Sequence, residues 1–278
     1  MKFNEKLHHS IKQTGSVLCI GLDPNIKLFP EELTGTKVNK NDQILQFCAG
    51  VIQASQKYAC AYKINTAYFE ALGNLGFDIL GRVKDLIPSD KIVIADAKRG
   101  DVGHTADQYK IAFFDVFDFD AITLSPLIGF DTLTPYLQSE EKAIFVLALT
   151  SNPGAKDFFL KPFGNSNLSC YIAGSLRKEQ VASATSIGMV IGATQDAAGT
   201  VLDEFPEANL LIPGIGAQGG SVEMLENALK NHRGYPLISV SRGVLYPENK
   251  TGRNWEHALE KQARKYHQQL QTISRKYV

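Results

Sequence analysis

The sequence predicts an α/β protein, a (β/α)8 TIM barrel forming a single domain over residues 1–278, with a helical extension before the first strand. Three observations carry that expectation. Short apolar runs alternate with longer amphipathic segments from end to end, the runs number eight, and polar or charged residues gather at their C-terminal ends. A length of 278 residues is close to the usual size of such a barrel. An open doubly wound sheet is the alternative, and the missing early G-x-G-x-x-G weighs against it.

The elements follow in order. Residues 1–9 (Met-Lys-Phe-Asn-Glu-Lys-Leu-His-His) are polar, lack the apolar stretch of a signal peptide, and read as a helix start on which His8 and His9 are solvated. The strand candidates are 17–21, 59–64, 92–97, 121–124, 143–149, 188–192, 209–212 and 236–240. Helical patterns lie between them. Ile44, Leu45, Cys48, Val51 and Ile52 share one face, as do Val222, Leu225 and Leu229 behind an N-cap at Ser221. The last helix repeats at Trp255, Leu259, Ala263, Tyr266 and Leu270. No linker, low-complexity tract or repeat beyond the β/α alternation is visible in the sequence.

Composition excludes several classes of function. The 29 basic and 29 acidic residues cancel, whereas nucleic-acid and anionic-membrane partners favour a basic excess. No apolar run approaches the ~20 residues that span a bilayer. Cys19, Cys48, Cys60 and Cys170 lack metal-ligand spacing and sit mostly within apolar runs, so they read as reduced core thiols of a cytoplasmic protein. The six histidines form no metal pattern either. The expected partner is a small molecule.

The chemistry is written at the strand ends, where a barrel of this type builds its site. The third strand begins as the buried run Ile92, Val93, Ile94, Ala95 and ends in charge. Asp96 and Lys98 are two apart, so on a continuing strand their side chains leave on the same face. Gly100 then allows a turn, Asp101 follows in the loop, and Gly103 to Thr105 open a helix. On this stretch alone, a surface ion-pair cluster is the plain alternative. The first strand ends in Gly21-Leu-Asp23-Pro24, the second in Lys63-Ile-Asn65 and the fifth in Thr150-Ser-Asn-Pro-Gly154. The seventh ends in Pro213-Gly-Ile-Gly-Ala-Gln-Gly-Gly220 and the eighth in Ser241-Arg-Gly243. Any one of these is an ordinary turn or cap, but six on one rim mark a site. The last two loops form the usual phosphate pocket of the fold. Here they supply close-approaching glycine amides, the side-chain amide of Gln218, and the bidentate guanidinium of Arg242.

The run Asp96-Ala-Lys-Arg-Gly-Asp101, with Thr105 behind it, resembles the signature of orotidine 5′-phosphate decarboxylases, the enzymes that make UMP in pyrimidine synthesis. The likeness continues through Gly-Leu-Asp23-Pro, Tyr-Lys63-Ile-Asn, Ser151-Asn-Pro-Gly, Pro-Gly-Ile-Gly-Ala-Gln218-Gly-Gly and Ser-Arg242-Gly. The long segment 155–169 is as in the longer bacterial branch of the family. The resemblance implies a cofactor-free, metal-free decarboxylation of orotidine 5′-phosphate. In it Lys98 protonates C6, Asp96 lies near the substrate carboxylate, and Lys63 pairs with Asp96 and meets the ribose. Asp101 completes an alternating Lys63–Asp96–Lys98–Asp101 array. Asp23 and Thr105 hold the ribose, Ser151 the pyrimidine, and Gln218 with Arg242 the phosphate. It also implies a homodimer in which Asp101 and Thr105 reach into the partner's site.

These roles make physical sense. Loss of CO2 from C6 leaves an in-plane carbanion with no electron sink, so fixed charges must stabilise it. At an effective dielectric of about 20, each close opposite pair is worth roughly 4 kcal/mol before desolvation, and alternation leaves no member unpaired. Two rivals stand beside this reading. Sugar-phosphate decarboxylases and aldolases on the same scaffold use Mg2+ held partly by a carboxylate at the end of the second strand. This chain has Lys63 there, and an ammonium repels Mg2+. A phosphosugar-binding barrel without turnover is the other, and it has no need of two lysines facing two aspartates.

Overall fold

All eight expected strands form, and they close on one another. The computed structural model describes residues 1–35, 38–192, 197–214, 221–247 and 255–278. Its strands are β1 (Leu18–Leu22), β2 (Ala61–Asn65), β3 (Ile92–Arg99), β4 (Ala121–Leu124), β5 (Ala143–Leu149), β6 (Pro162–Phe163), β7 (Ser166–Asn167), β8 (Ser186–Ile191), β9 (Leu210–Pro213) and β10 (Pro236–Val240). The barrel order is β1-β10-β9-β8-β5-β4-β3-β2, and every pair within it is parallel. Such strands are buried on both faces, inward by each other's side chains and outward by helices, which is why they read as continuous apolar runs. Every residue of β1, β4 and β10 is buried.

The helices bury the faces that their periodicity marks. On the helix Lys40–Ser55, Ile44, Cys48, Val51 and Ile52 are buried, and the Asn39 side chain caps its start by accepting from the N–H groups of Asn41 and Asp42. The long C-terminal helix, Trp255–Gln269, buries Leu259, Ala263 and Tyr266, and Trp255 stacks on Phe47 of the earlier helix at 5.8 Å between ring centroids. Ser221 is the N-cap of the helix Val222–Ala228, its hydroxyl accepting from Met224 N–H at 3.1 Å. The four cysteines are buried and unpaired. No described helix is long and apolar enough to cross a membrane.

The N-terminal extension is the helix Phe3–Thr14, which buries Phe3, Leu7 and Ile11. It lies under the N-terminal ends of the strands. Phe3 meets Phe145 of β5 edge-on, Lys6 pairs with Asp120 just ahead of β4 at 2.6 Å, and Asn209 ahead of β9 donates to Asn4 at 2.6 Å. The floor of the barrel is therefore closed, and its opposite mouth is left for chemistry. The long segment 155–169 holds a feature the sequence pattern does not announce, an antiparallel hairpin of β6 and β7. Its Phe163 packs on Tyr171 of the next helix at 4.5 Å between ring centroids.

Register sets the site. Gly21 of β1 stands opposite Lys63 of β2, and Asn65 of β2 opposite Asp96 of β3. Lys63 therefore starts one inward-facing level below Asp96 and reaches up to it. Between β3 and β4 the register slips after Ala95 and resumes at Arg99.

Candidate active site

Three of the four charges expected in one array meet at the C-terminal ends of β2 and β3. Lys63 Nζ lies 2.8 Å from Asp96 Oδ2, and Lys98 Nζ lies 2.5 Å from Asp96 Oδ1. One carboxylate is thus gripped by two ammonium groups, one on each oxygen. The two lysines are not equivalent. The Lys63 side chain is 7% exposed and that of Lys98 is 51% exposed, so only Lys63 is buried. Its ammonium stands at the open side of the pair, where a ligand can reach it.

The fourth expected charge, Asp101, is not brought to the array within this one chain. Asp101 pairs with no cation among the described residues; its carboxylate accepts from the neighbouring Val102 N–H at 2.9 Å. Within this one chain the alternation is completed from the other side, by Asp23, whose Oδ1 is 3.9 Å from Lys63 Nζ. The observed order is Asp23–Lys63–Asp96–Lys98. Asp23 is held in place by Ser241, whose hydroxyl donates to Oδ2, and by Tyr246, whose hydroxyl donates to its backbone carbonyl at 2.7 Å. Asp23 Oδ1 is buried and accepts no hydrogen bond among the described residues.

The charges suit this crowding. Burial pushes Asp96 toward the neutral acid, but Lys63 and then Lys98 outweigh it and bring the carboxyl down to about 2. Burial likewise disfavours the Lys63 ammonium, yet Asp96 and Asp23 hold it above the usual lysine range. Cys19 on β1, within electrostatic reach of Lys63, stays a neutral thiol because burial pushes it up to about 12.

Backbone geometry at the end of β3 differs from the expected turn at Gly100. The left-handed residues are Lys98, at φ +48°, and Gly103, at φ +50°. A left-handed non-glycine residue costs roughly 1–2 kcal/mol, so Lys98 is held there by its surroundings. Gly100 serves close approach instead: a Cβ on it would stand 3.0 Å from the Ser125 carbonyl oxygen.

The array forms one wall of a cavity of about 230 Å3. Lys63, Asp96 and Lys98 face Thr150, Ser151 and Asn152 after β5, with Leu147, Val190, Leu211 and Pro213 closing the apolar side. Ser151 is backed by Gly192, where a Cβ would come within 2.8 Å of the Ser151 backbone, so only glycine lets the loop lie so close. Four of the residues lining this cavity are apolar, and of these only Pro213 stands in a rim motif of the sequence. Leu147, Val190 and Leu211 lie within the apolar runs of their strands and read as core.

The remaining candidates are spread along the rim. Thr105 is exposed in the first turn of the helix Gly103–Lys110 and does not line the cavity. Arg242 is exposed at the start of the short helix Arg242–Leu245, immediately after Ser241, with no ion-pair partner among the described residues. Gln218 lies outside the described residues. Sequence reading misses Thr123 of β4, buried beside the array. Its signal is a lone hydroxyl near the C-terminal end of an otherwise apolar barrel strand.

Comparison with known proteins accords with this geometry. A model of the orotidine 5′-phosphate decarboxylase / HUMPS family matches residues 16–253. The chain is 40% identical over 257 residues to a Dehalococcoides mccartyi protein named orotidine 5′-phosphate decarboxylase, covering 88% of this chain and 89% of that one. It is 38% identical to a Herpetosiphon aurantiacus protein of the same name, covering 95% and 96%. Among solved structures it is similar to the OMP decarboxylase of Leishmania donovani, with a TM-score of 0.81 and 31% identity, covering 99% of each chain.

Proposed function

The chain belongs to the orotidine 5′-phosphate decarboxylase family, and on that premise we propose how its barrel mouth performs the family reaction, conversion of orotidine 5′-phosphate to UMP in pyrimidine biosynthesis. The observation that carries the reading is the Asp96 carboxylate held between Lys63 and Lys98, with the Lys98 ammonium reaching the cavity. The C6–carboxylate bond breaks, CO2 leaves, and the electron pair remains on C6. The Lys98 ammonium stabilises that pair and then donates a proton to it, recovering the proton from solvent. Asp96 fixes Lys98 and stands near the departing carboxylate. Lys63, clamped by two aspartates, keeps its charge and faces the ribose. This reading needs no cofactor or metal, since the Lys98 ammonium supplies the positive charge at the reacting carbon.

The rest of the mouth binds substrate. Asp23, whose Oδ1 accepts no hydrogen bond among the described residues, addresses a ribose hydroxyl. Ser151 addresses the pyrimidine from the cavity wall. Arg242, exposed at the strand end, takes the phosphate together with Gln218. Binding energy from the remote phosphate orients the ring against Lys98.

The active unit in this reading is a cytoplasmic homodimer. Asp101 joins no array in its own chain, and Thr105 lies exposed outside the cavity. Both are free to serve the mouth of a second copy. Exposed apolar side chains on the same rim, Tyr68, Val102, Leu127 and Ile128, support a covered surface there.

The test is a spectrophotometric assay of orotidine 5′-phosphate consumption with UMP quantified as product. Stoichiometric UMP and CO2 are expected. A protein that binds UMP yet never consumes orotidylate would return the barrel to the class of phosphosugar binders.

A further inference from the structure

The slip between β3 and β4 places one hydroxyl under two parts of the array. Between the pairs Ala95–Ile122 and Arg99–Leu124, β3 carries Asp96, Ala97 and Lys98 where β4 carries only Thr123. A bulge of this kind leaves backbone groups without ladder partners and re-aims a side chain. Lys98 takes up the excess with its left-handed backbone. Its N–H is received by the Thr123 hydroxyl oxygen at 2.9 Å. The same hydroxyl donates to Asp96 Oδ1 at 3.2 Å, the oxygen that also accepts from Lys98 Nζ at 2.5 Å. Thr123 therefore holds Lys98 twice, at its backbone directly and at its ammonium through Asp96. It is 1% exposed and does not line the cavity, so its hydroxyl addresses the array and not a ligand.

We propose that Thr123 is a positioning residue for proton transfer: its hydroxyl fixes the left-handed backbone of Lys98 and the rotation of the Asp96 carboxylate, and so sets where the Lys98 ammonium meets the reacting carbon. The proposal rests on the reading of Lys98 as proton donor. A strained backbone at a functional residue persists only while its surroundings over-determine it. With valine at this position the shape stays close, but Lys98 N–H loses its acceptor and Asp96 Oδ1 loses a donor. The bulge is then free to relax, and the ammonium moves with it. A displacement of 1 Å at a reacting centre is enough to cost about 100-fold. The bland alternative is that Thr123 only fills the barrel, in which case the hydroxyl matters to stability but not to the rate.

The experiment compares wild type, Thr123→Val and Thr123→Ser in orotidylate turnover and UMP binding. Thr123→Val should lose about 100-fold in kcat while KM and the UMP affinity stay within about threefold, because the binding residues are untouched. Thr123→Ser, which keeps the hydroxyl, should recover kcat to within about fivefold of wild type. Thr123→Ala replaces Thr123→Val in the comparison if the valine variant does not fold. Two outcomes overturn the proposal: a hydroxyl-free variant that keeps kcat within about threefold, or a serine variant that loses as much as the hydroxyl-free one. A wild-type protein without turnover would instead sink the decarboxylase reading itself, which keeps the two failures distinct.

Discussion

Lys63→Met tests the charge array where it is most deeply buried. Methionine nearly conserves volume, so the lost charge and not a hole is what the substitution reports. At an effective dielectric of about 20, the 2.8 Å contact with Asp96 is worth about 6 kcal/mol and the 3.9 Å contact with Asp23 about 4 kcal/mol. Desolvation of Lys63 cancels most of that sum. What remains is the cost of leaving two carboxylates short of a partner, about 3–5 kcal/mol for a broken buried pair. The deficit should also depend on pH. Asp96 titrates at about 2 in the folded protein against an ordinary 3.8, so its stabilisation is complete above 3.8 and is lost as pH falls toward 2. In the variant only Lys98 faces Asp96, and the carboxyl titrates nearer its ordinary value. Wild type therefore loses about 1 kcal/mol relative to the variant between pH 3.8 and pH 3, at about 1.4 kcal/mol per pH unit. Urea denaturation of both proteins at equal protomer concentration, at pH 7 and pH 3, measures this directly. A deficit below about 1 kcal/mol at pH 7, or one that grows on acidification, refutes the electrostatic account.

Three further outcomes are expected. Lys98→Ala should lose several orders of magnitude in kcat while still binding UMP, whereas Arg242→Ala should mainly raise KM for orotidylate; steady-state kinetics and UMP titration separate the two. Turnover should survive exhaustive chelation, and abolition by EDTA with rescue by Mg2+ would favour the metal-dependent rival. Inactive Lys98→Ala and Asp101→Asn proteins, dissociated and mixed in equal amounts, should regain about a quarter of the sites if Asp101 serves the partner's mouth. A mixture that stays inactive after verified subunit exchange would return Asp101 to its own barrel.

Much of this molecule is legible in its sequence because the barrel imposes a simple grammar. Apolar runs become strands, and whatever polar residue follows a run stands on the rim. That is why Asp96, Lys98, Lys63, Asp23 and Ser151 can be named before any coordinates. What stays hidden are properties that arise only between strands. The left-handed backbone of Lys98 follows from the β3–β4 slip, which neither strand's pattern contains. The clamp of Ser241 on Asp23 joins residues 218 apart and exists only once the barrel closes. Thr123 hides for another reason: a threonine among Ala121, Ile122 and Leu124 reads as an ordinary β-former. Asp101 joins no array within its own chain, so its place in one depends on a second copy, which the pattern of a single strand does not contain.

The helix under the barrel floor has a consequence for the order of folding. It is synthesised ahead of every strand of the barrel, yet two of its polar anchors lie 114 residues on for Lys6 and 205 for Asn4. Closing loops of that length is slow, and the contacts that repay it arrive late. During synthesis the apolar face of Phe3, Leu7 and Ile11 must therefore wait with no barrel to cover it. A chain stopped short of β9 still lacks Asn209, so its helix keeps only part of its seat. This helix thus acts as a late latch, engaging fully only when the strands above it have come together.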